Sequence, residues 1–188
     1  RVGAMTTTTP AWVATSIWWH VYPLGALGAD TTGVDRHCRR PLSALIDWLD
    51  HAVALGVNGI ALGPIFSSAT HGYDTLDHFT IDERLGDRSD FDALVAACRS
   101  RGIRIMLDGV FNHVSRQHDQ VSDDVAEGGW ERRDRDGHVQ TFEGHGDLVT
   151  LDHRNPAVAD LVVEVMCHWL AAGGGAGGPG AAPAAPPG

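Results

Sequence analysis

The 188-residue sequence is short of several features that would narrow its chemistry at once. Cysteine is scarce: Cys38, Cys98 and Cys167 stand far apart without a CxxC pair, which suggests neither a zinc cluster nor a disulfide framework. Positive charge is in deficit, with 14 Lys and Arg against 24 Asp and Glu, a net charge of -10 and a pI near 5.4. Such a balance repels nucleic acid and anionic membrane surfaces and leaves neutral ligands open. No apolar run approaches the ~18 residues of a membrane span, and the start has no basic segment followed by an apolar stretch. A cytoplasmic protein is the expectation. No Gly-rich phosphate loop follows the first apolar run and no GxSxG occurs, which disfavours a nucleotide-binding open α/β protein.

What is present is an ordinary globular composition, 43% hydrophobic and 20% charged, enough for one domain with a core. Residues 17–24 form a short apolar and aromatic run that suits a strand buried on both faces. Residues 41–55 place Leu42, Leu45, Ile46, Leu49 and Val53 at helical spacing, with Pro41 at the start and Gly56 at the stop. Residues 58–63 read as a second strand and 90–101 as a second helix, apolar at Phe91, Leu94, Val95 and Cys98 and closed by Gly102. A third strand follows over 103–110. Helices that end at a glycine just before the next buried strand indicate a parallel sheet of right-handed βαβ units.

From 111 to 155 the pattern breaks into a polar, Gly- and His-rich stretch, far longer than the ~2–6 residues of a usual βα loop. Pro156 then opens a third helix with Val158, Leu161, Val162, Val165 and Trp169 on one face. Residues 171–188 are all Ala, Gly or Pro, a composition that cannot offset its ordering entropy and predicts a disordered tail. Residues 1–14 are expected to be disordered as well.

The informative residues lie where parallel strands end, the rim at which α/β folds bind ligands. After the second strand comes Gly63-Pro64-Ile65-Phe66-Ser67-Ser68-Ala69-Thr70-His71-Gly72-Tyr73-Asp74, and after the third comes Asp108-Gly109-Val110-Phe111-Asn112-His113. The latter resembles the Asp-x-x-x-Asn-His signature of the α-amylase superfamily, glycoside hydrolase family 13. The former is similar to that family's Gly-Tyr-Asp loop, followed by Ile81-Asp82-x-Arg84-x-Gly86. With residues 18–25 and 151–156, the resemblance covers roughly residues 15–170. It implies an α/β fold, an incomplete TIM (β/α)8 barrel of about three βα units, with residues 111–155 as the long loop called domain B.

The resemblance also implies roles for single residues. Tyr73 offers a flat aromatic surface that can stack on the apolar face of a pyranose. His113 can donate a hydrogen bond to a sugar hydroxyl, and its family counterpart contacts the ring in the cleavage subsite. Asp108 closes an otherwise apolar strand and braces the site without being the nucleophile, and Asp74 is either a further carboxylate of the substrate-binding set or a framework carboxylate that pairs with a base supplied elsewhere. Asn112 resembles the family's calcium ligand, a hard oxygen donor. The stretch matching the family's other calcium-binding segment is Leu148-Val149-Thr150-Leu151, with Thr150 where an Asp would stand. No other cofactor is implied, and His118, His138, His145 and His153 have spacings that fit no compact zinc set.

Retaining glycosidases need two carboxyl groups ~5–5.5 Å apart, one nucleophilic and one acid/base. In the family these lie at the ends of the fourth and fifth strands, and this sequence enters its Ala/Gly/Pro run where the fourth strand is expected. No catalytic residue is therefore named. The expectation is an α-glucan or α-glucoside hydrolase or transglycosylase, truncated before its catalytic carboxylates and inactive alone. The alternative is a non-catalytic sugar-binding fragment. In either case the partner is an α-linked glucan or oligosaccharide, with no nucleic acid and no membrane; the sequence says nothing of oligomeric state.

Overall fold

The computed structural model describes residues 10–121 and 129–173. Of the segment expected to be disordered at the start, residues 1–9 lie outside the described residues, whereas Ala11–Thr15 forms a 3-10 helix. Trp12 ties it down, edge-on to Trp18 at 6.4 Å and covered by the Arg104 guanidinium at 4.5 Å. At the other end, residues 174–188 of the expected tail lie outside the described residues.

The regular elements run β1 (Trp18–Val21), α1 (Pro23–Ala26), a 3-10 helix (Leu42–Trp48) leading into α2 (Leu49–Ala54), β2 (Gly59–Leu62), β3 (Phe66–Ser68), β4 (Thr75–Ile81), a 3-10 turn (Glu83–Leu85), α3 (Arg88–Ser100), β5 (Arg104–Leu107), β6 (His113–Ser115), β7 (Leu148–Thr150) and α4 (Pro156–Ala171). Three strands form a parallel sheet in the order β1-β2-β5. The architecture is thus a three-stranded parallel α/β sheet with helices between the strands.

Because strand side chains alternate, one face of this sheet carries Val21, Ile60, Leu62, Ile105 and Leu107. These pack into a single core with Leu42, Leu45, Leu49, Phe91, Leu94, Cys98 and Trp169 from the helical layer. Phe91 and Leu94 are fully buried, and each such side chain stabilises the fold by about 1.5–3 kcal/mol. Helix α3 starts in a capping box, the Asp87 carboxylate accepting from the Ser89 and Asp90 amides while Asp90 reaches back to the Asp87 amide. The opposite face of the sheet is open: His20, Ala61, Met106 and Asp108 line a shallow cleft of about 240 Å³.

The single amphipathic helix expected over 41–55 is two pieces. Leu42 and Leu45, three apart, lie on one side of a 3-10 helix, and α2 then turns Leu49 and Ala52 inward. Val53, expected on the buried stripe, is 44% exposed.

Two antiparallel additions decorate the parallel sheet. Strands β3 and β4 pair with register shifts on either side of Ser67, and β6 pairs β7 in a regular ladder joining His113 to Thr150 and Ser115 to Leu148. The polar excursion is therefore folded at both ends, with Val114, Leu151 and Val158 forming a small core of their own beside Trp130.

Candidate functional site

Residues 69–74 form the tip of the β3–β4 pair, and this tip rises beyond the end of β2. Four independent ties set its shape. The Ala69 amide donates to the Asp74 carbonyl at 3.0 Å, closing the turn, and Thr70 Oγ1 donates to Asp74 Oδ2 at 2.6 Å. The Tyr22 hydroxyl, just past β1, donates to the His71 carbonyl at 2.8 Å. Arg36 donates to the Ser68 carbonyl at 3.0 Å and to the Ala69 carbonyl at 3.3 Å. Gly72 has φ +96, and a Cβ there would meet Pro64 Cβ at 3.2 Å, so the turn that presents Tyr73 requires glycine.

Beneath the tip lies a buried polar knot. Arg84 is fully enclosed, with Nε donating to Asp82 Oδ1 at 2.7 Å and Nη2 to Asp82 Oδ2 at 2.6 Å, a bidentate pair. Its remaining donors go to Ser68 Oγ at 2.8 Å, the Asp30 carbonyl at 2.8 Å and the Thr70 carbonyl. Burial alone pushes the Asp82 carboxyl up, but its bonds from Arg84 and Ser68 outweigh that and hold it below the ordinary 3.8.

Tyr73 stands outside this knot, 38% exposed. Its hydroxyl faces the Asp108 carboxylate, one residue beyond β5, whose amide donates to the Leu62 carbonyl at 3.0 Å. Partial burial and then the nearby Asp108 charge raise the phenol pKa above 10.0, so the hydroxyl keeps its proton. His113, at the start of β6, adjoins the backbone of Tyr73. Its ring is stacked on Phe142 at 4.5 Å, and Asn112 Nδ2 lies 3.2 Å from its Nδ1. With Nδ1 accepting from the amide, the proton resides on Nε2, which is buried without a hydrogen-bond partner of standard geometry. Burial, only partly offset by the Tyr73 backbone, keeps its pKa below 6.5 and the ring neutral.

The structure thus brings Tyr73, Asp108 and His113 into one group and sets Asp74 beside it. Access is unequal: His113 is only 7% exposed and Asp74 5%. The expected direct donation from His113 to a ligand is limited by Phe142, a residue of the long excursion that sequence reasoning did not connect to it. Tyr22 and Arg84 were likewise missed as supports of the tip. A tyrosine closing the first strand and an arginine in an Asp-x-Arg stretch were visible signals, but their targets are backbone carbonyls, which leave no mark in a sequence.

Calcium was tested against the donors present. Asn112 turns its amide toward His113, and the position facing His113 across the β6–β7 pair is Thr150. Among the described residues, the His, Cys, Asp and Glu side chains that converge closely enough for one ion are Asp134, Asp136 and His138, all exposed on a distant turn. Calcium takes ~6–8 oxygens, and the group around Asn112 does not supply an anionic set. Of the histidines weighed for zinc, His118 packs on Trp130 and His153 bonds the Phe111 carbonyl at 2.8 Å.

A family model described as alpha amylase, catalytic domain, matches residues 35–147. The chain belongs to that family. Among curated relatives, this α-amylase-family chain is 34% identical to an intracellular maltogenic amylase of Bacillus subtilis, over 86% of this chain and 32% of that protein. It is 36% identical to a cyclomaltodextrinase of a Bacillus species, over 86% of this chain and 34% of that protein. Among solved structures it superimposes on the cyclic alpha-maltosyl-(1→6)-maltose hydrolase of Arthrobacter globiformis with a TM-score of 0.74 and 32% identity. That match covers 89% of this chain and 44% of the hydrolase. The α-amylase-family chain spans about a third of the length of the curated relatives it matches. No helix of the described residues is long and apolar enough to cross a membrane.

Proposed function

We propose that the chain carries the sugar-binding rim of an α-amylase-type glycoside hydrolase or transglycosylase acting on α-linked glucans or oligosaccharides. The observation that carries this reading is the convergence of Tyr73, Asp108 and His113 from two different strand ends. Tyr73 presents an exposed ring with the Asp108 charge near its hydroxyl, and such a flat face can stack on a pyranose. His113 supports the same edge from behind, with Asn112 setting its tautomer. The names of the relatives, maltogenic amylase and cyclomaltodextrinase, support α-linked glucose as the ligand. A cytoplasmic setting belongs to the same reading, supported by the intracellular relative of Bacillus subtilis.

The chain binds sugar without cleaving it. Thr70 donates to Asp74 and the Asp108 charge lies near the Tyr73 hydroxyl; we read both carboxylates as parts of the rim and neither as the nucleophile or the acid of a retaining pair. Calorimetric titration with maltotriose and a reducing-sugar assay test both halves. Binding with a Kd of about 1 mM, weakened at least ~tenfold in Tyr73→Ala, is the expected result. Absence of heat at ~10 mM ligand would sink the binding reading; release of reducing sugar by the purified chain would sink the claim that it does not cleave.

A further inference from the structure

Two buried histidines meet where the excursion leaves the parallel framework. His78, on β4, is 1% exposed, and His118, in the turn after β6, is 8% exposed. Their ring centroids lie 6.1 Å apart. His78 is stacked on Phe111 at 5.6 Å and lies 6.1 Å from Phe66, while His118 packs on Trp130 at 5.5 Å. Trp130 in turn touches both the main core and the small core of the excursion. A run of aromatic rings thus joins β4 to the excursion, and both histidines lie inside it.

The backbone fixes one neutral tautomer on each ring. His78 Nε2 lies 3.0 Å from the Val110 carbonyl; a carbonyl oxygen only accepts, so the proton of His78 is on Nε2. Its Nδ1 is buried with no hydrogen-bond partner. His118 Nδ1 accepts from the Gln120 amide at 3.2 Å, so its proton too is on Nε2. In both rings a second proton must go to Nδ1. On His78 it meets no acceptor, and on His118 it faces an N–H donor and displaces the Gln120 amide. Few groups stand near enough to hold the added charge. The Asp77 carboxylate, beside His78, accepts from the Phe79 amide at 2.8 Å and the Thr80 hydroxyl at 2.9 Å. On the excursion Asp119 is exposed, and Glu131, next to Trp130, is paired with Arg133 at 2.6 Å. Helix α4 presents His168, edge-on to Phe79 at 5.5 Å, and Trp169, whose indole donates to the His78 carbonyl at 2.7 Å. Burial holds both pKa values below 6.5; a charge on His78 adds to this at His118, and Asp77 and Asp119 offset it only in part.

We infer that His78 and His118 form an acid-sensitive latch, which holds the turn at 115–121 and Trp130 against β4 while both rings are neutral and releases them on protonation with the parallel framework still folded. The latch is closed above the ordinary histidine pKa and opens as pH falls through the lower values of the folded rings. It gives way on the excursion side. Residues 116–121 carry no strand or helix, and their turn is closed by the His118 amide on the Ser115 carbonyl at 3.0 Å and the Val121 amide on the His118 carbonyl at 2.9 Å. Strand β4 is paired with β3 and pinned by Trp169. The framework outlasts the latch because its buried Asp82–Arg84 pair persists until Asp82 takes a proton, below 3.8. Neither histidine belongs to the Tyr73, Asp108 and His113 group, so the latch is independent of the sugar reading.

Hydrogen exchange read by NMR on the full 188-residue chain, from pH 7 to 5, tests the latch. In the wild type the protection factor of the Gln120 amide, corrected for the intrinsic pH dependence of exchange, falls at least ~tenfold, the change that about one unit of pKa difference supplies. The His118 Cε1 signal shifts over the same range. The Leu94 amide in α3 and the Trp169 indole N–H keep their protection within about twofold. His78→Gln and His118→Asn remove the titration and keep the bonds: the Gln amide nitrogen donates to the Val110 carbonyl, and the Asn oxygen accepts from the Gln120 amide. In the double variant Gln120 protection stays within about twofold across the range. If that variant does not fold, the wild-type comparison of Gln120 with Leu94 and Trp169 decides alone. Loss of protection at Gln120 and Leu94 together is acid unfolding of the whole chain and overturns the latch. So does constant Gln120 protection in the wild type, or an acid step that survives in the folded double variant.

Discussion

Replacing Arg84 by methionine tests whether the buried knot is what holds the ligand-binding tip. Both partners of the Arg84–Asp82 pair are enclosed, with side chains 0% and 1% exposed, so solvent screening does not discount the interaction. Methionine keeps most of the volume but leaves Asp82, Ser68 Oγ and the Thr70 and Asp30 carbonyls short of a donor. Removing one member of a buried pair costs about 3–5 kcal/mol. Arg36 recovers little, since its Nη2 lies 3.8 Å from Asp82 Oδ2 and is partly exposed. At ~2–4 °C per kcal/mol for a chain of this size, the melting temperature falls by about 10 °C. Urea unfolding followed by fluorescence of buried Trp169 measures the stability, and maltotriose calorimetry on the folded variant measures the tip. The sign of the pH effect is a further check. In the wild type Asp82 is held below 3.8, so its contribution is complete above that value and is lost as pH falls through the lower folded pKa. Without Arg84, burial is left to push the carboxyl up, and acid unfolding begins at higher pH. A loss under about 1 kcal/mol with unchanged acid sensitivity would refute the view that this pair anchors the tip.

Two other outcomes follow from the geometry. His78, His113 and His118 all have pKa values below 6.5 because they are buried; the unfolded chain therefore binds protons more readily, and stability measured by urea titration is greatest above pH 6.5 and declines as pH falls below it, whereas a flat profile from pH 7 to 5 would contradict their burial. Gly72→Ala, at φ +96 and against Pro64, is expected to cost about 1–3 kcal/mol in thermal unfolding and to weaken maltotriose binding by misplacing Tyr73.

Much of the parallel framework was legible because its signals are local. Gly102 ends α3 just before β5, the stripe Phe91, Leu94, Val95 and Cys98 is buried as a 3.6-residue period requires, and Pro156 opens α4 with Asn155 as its cap. The β3–β4 pair was not read. Ser67, Ser68 and the Thr75–Ile81 segment lack clean alternation, and the register shifts around Ser67 break what pattern there is. Helix and 3-10 helix could not be told apart over 42–54, since Leu42, Leu45, Leu49 and Ala52 satisfy both periods closely. At the site, the clustering of Tyr73, Asp108 and His113 was foreseen from their places at strand ends. The burial of His113 was not, because Phe142 reaches it from 29 positions further along the chain.

The parallel pairing of β1, β2 and β5 has a consequence for how this protein can change. On the face turned away from the main core, side chains stand in ranks running across the strands: Trp18 beside Gly59 beside Arg104, then His20 beside Ala61 beside Met106. Within the first rank the indole lies over its neighbour, for a methyl group on Gly59 would come within 2.5 Å of the Trp18 ring. Bulk gained at one place in a rank must be given up at another. Variation there travels crosswise between strands, so a library drawn along a single strand would be full of collisions that one drawn rank by rank avoids.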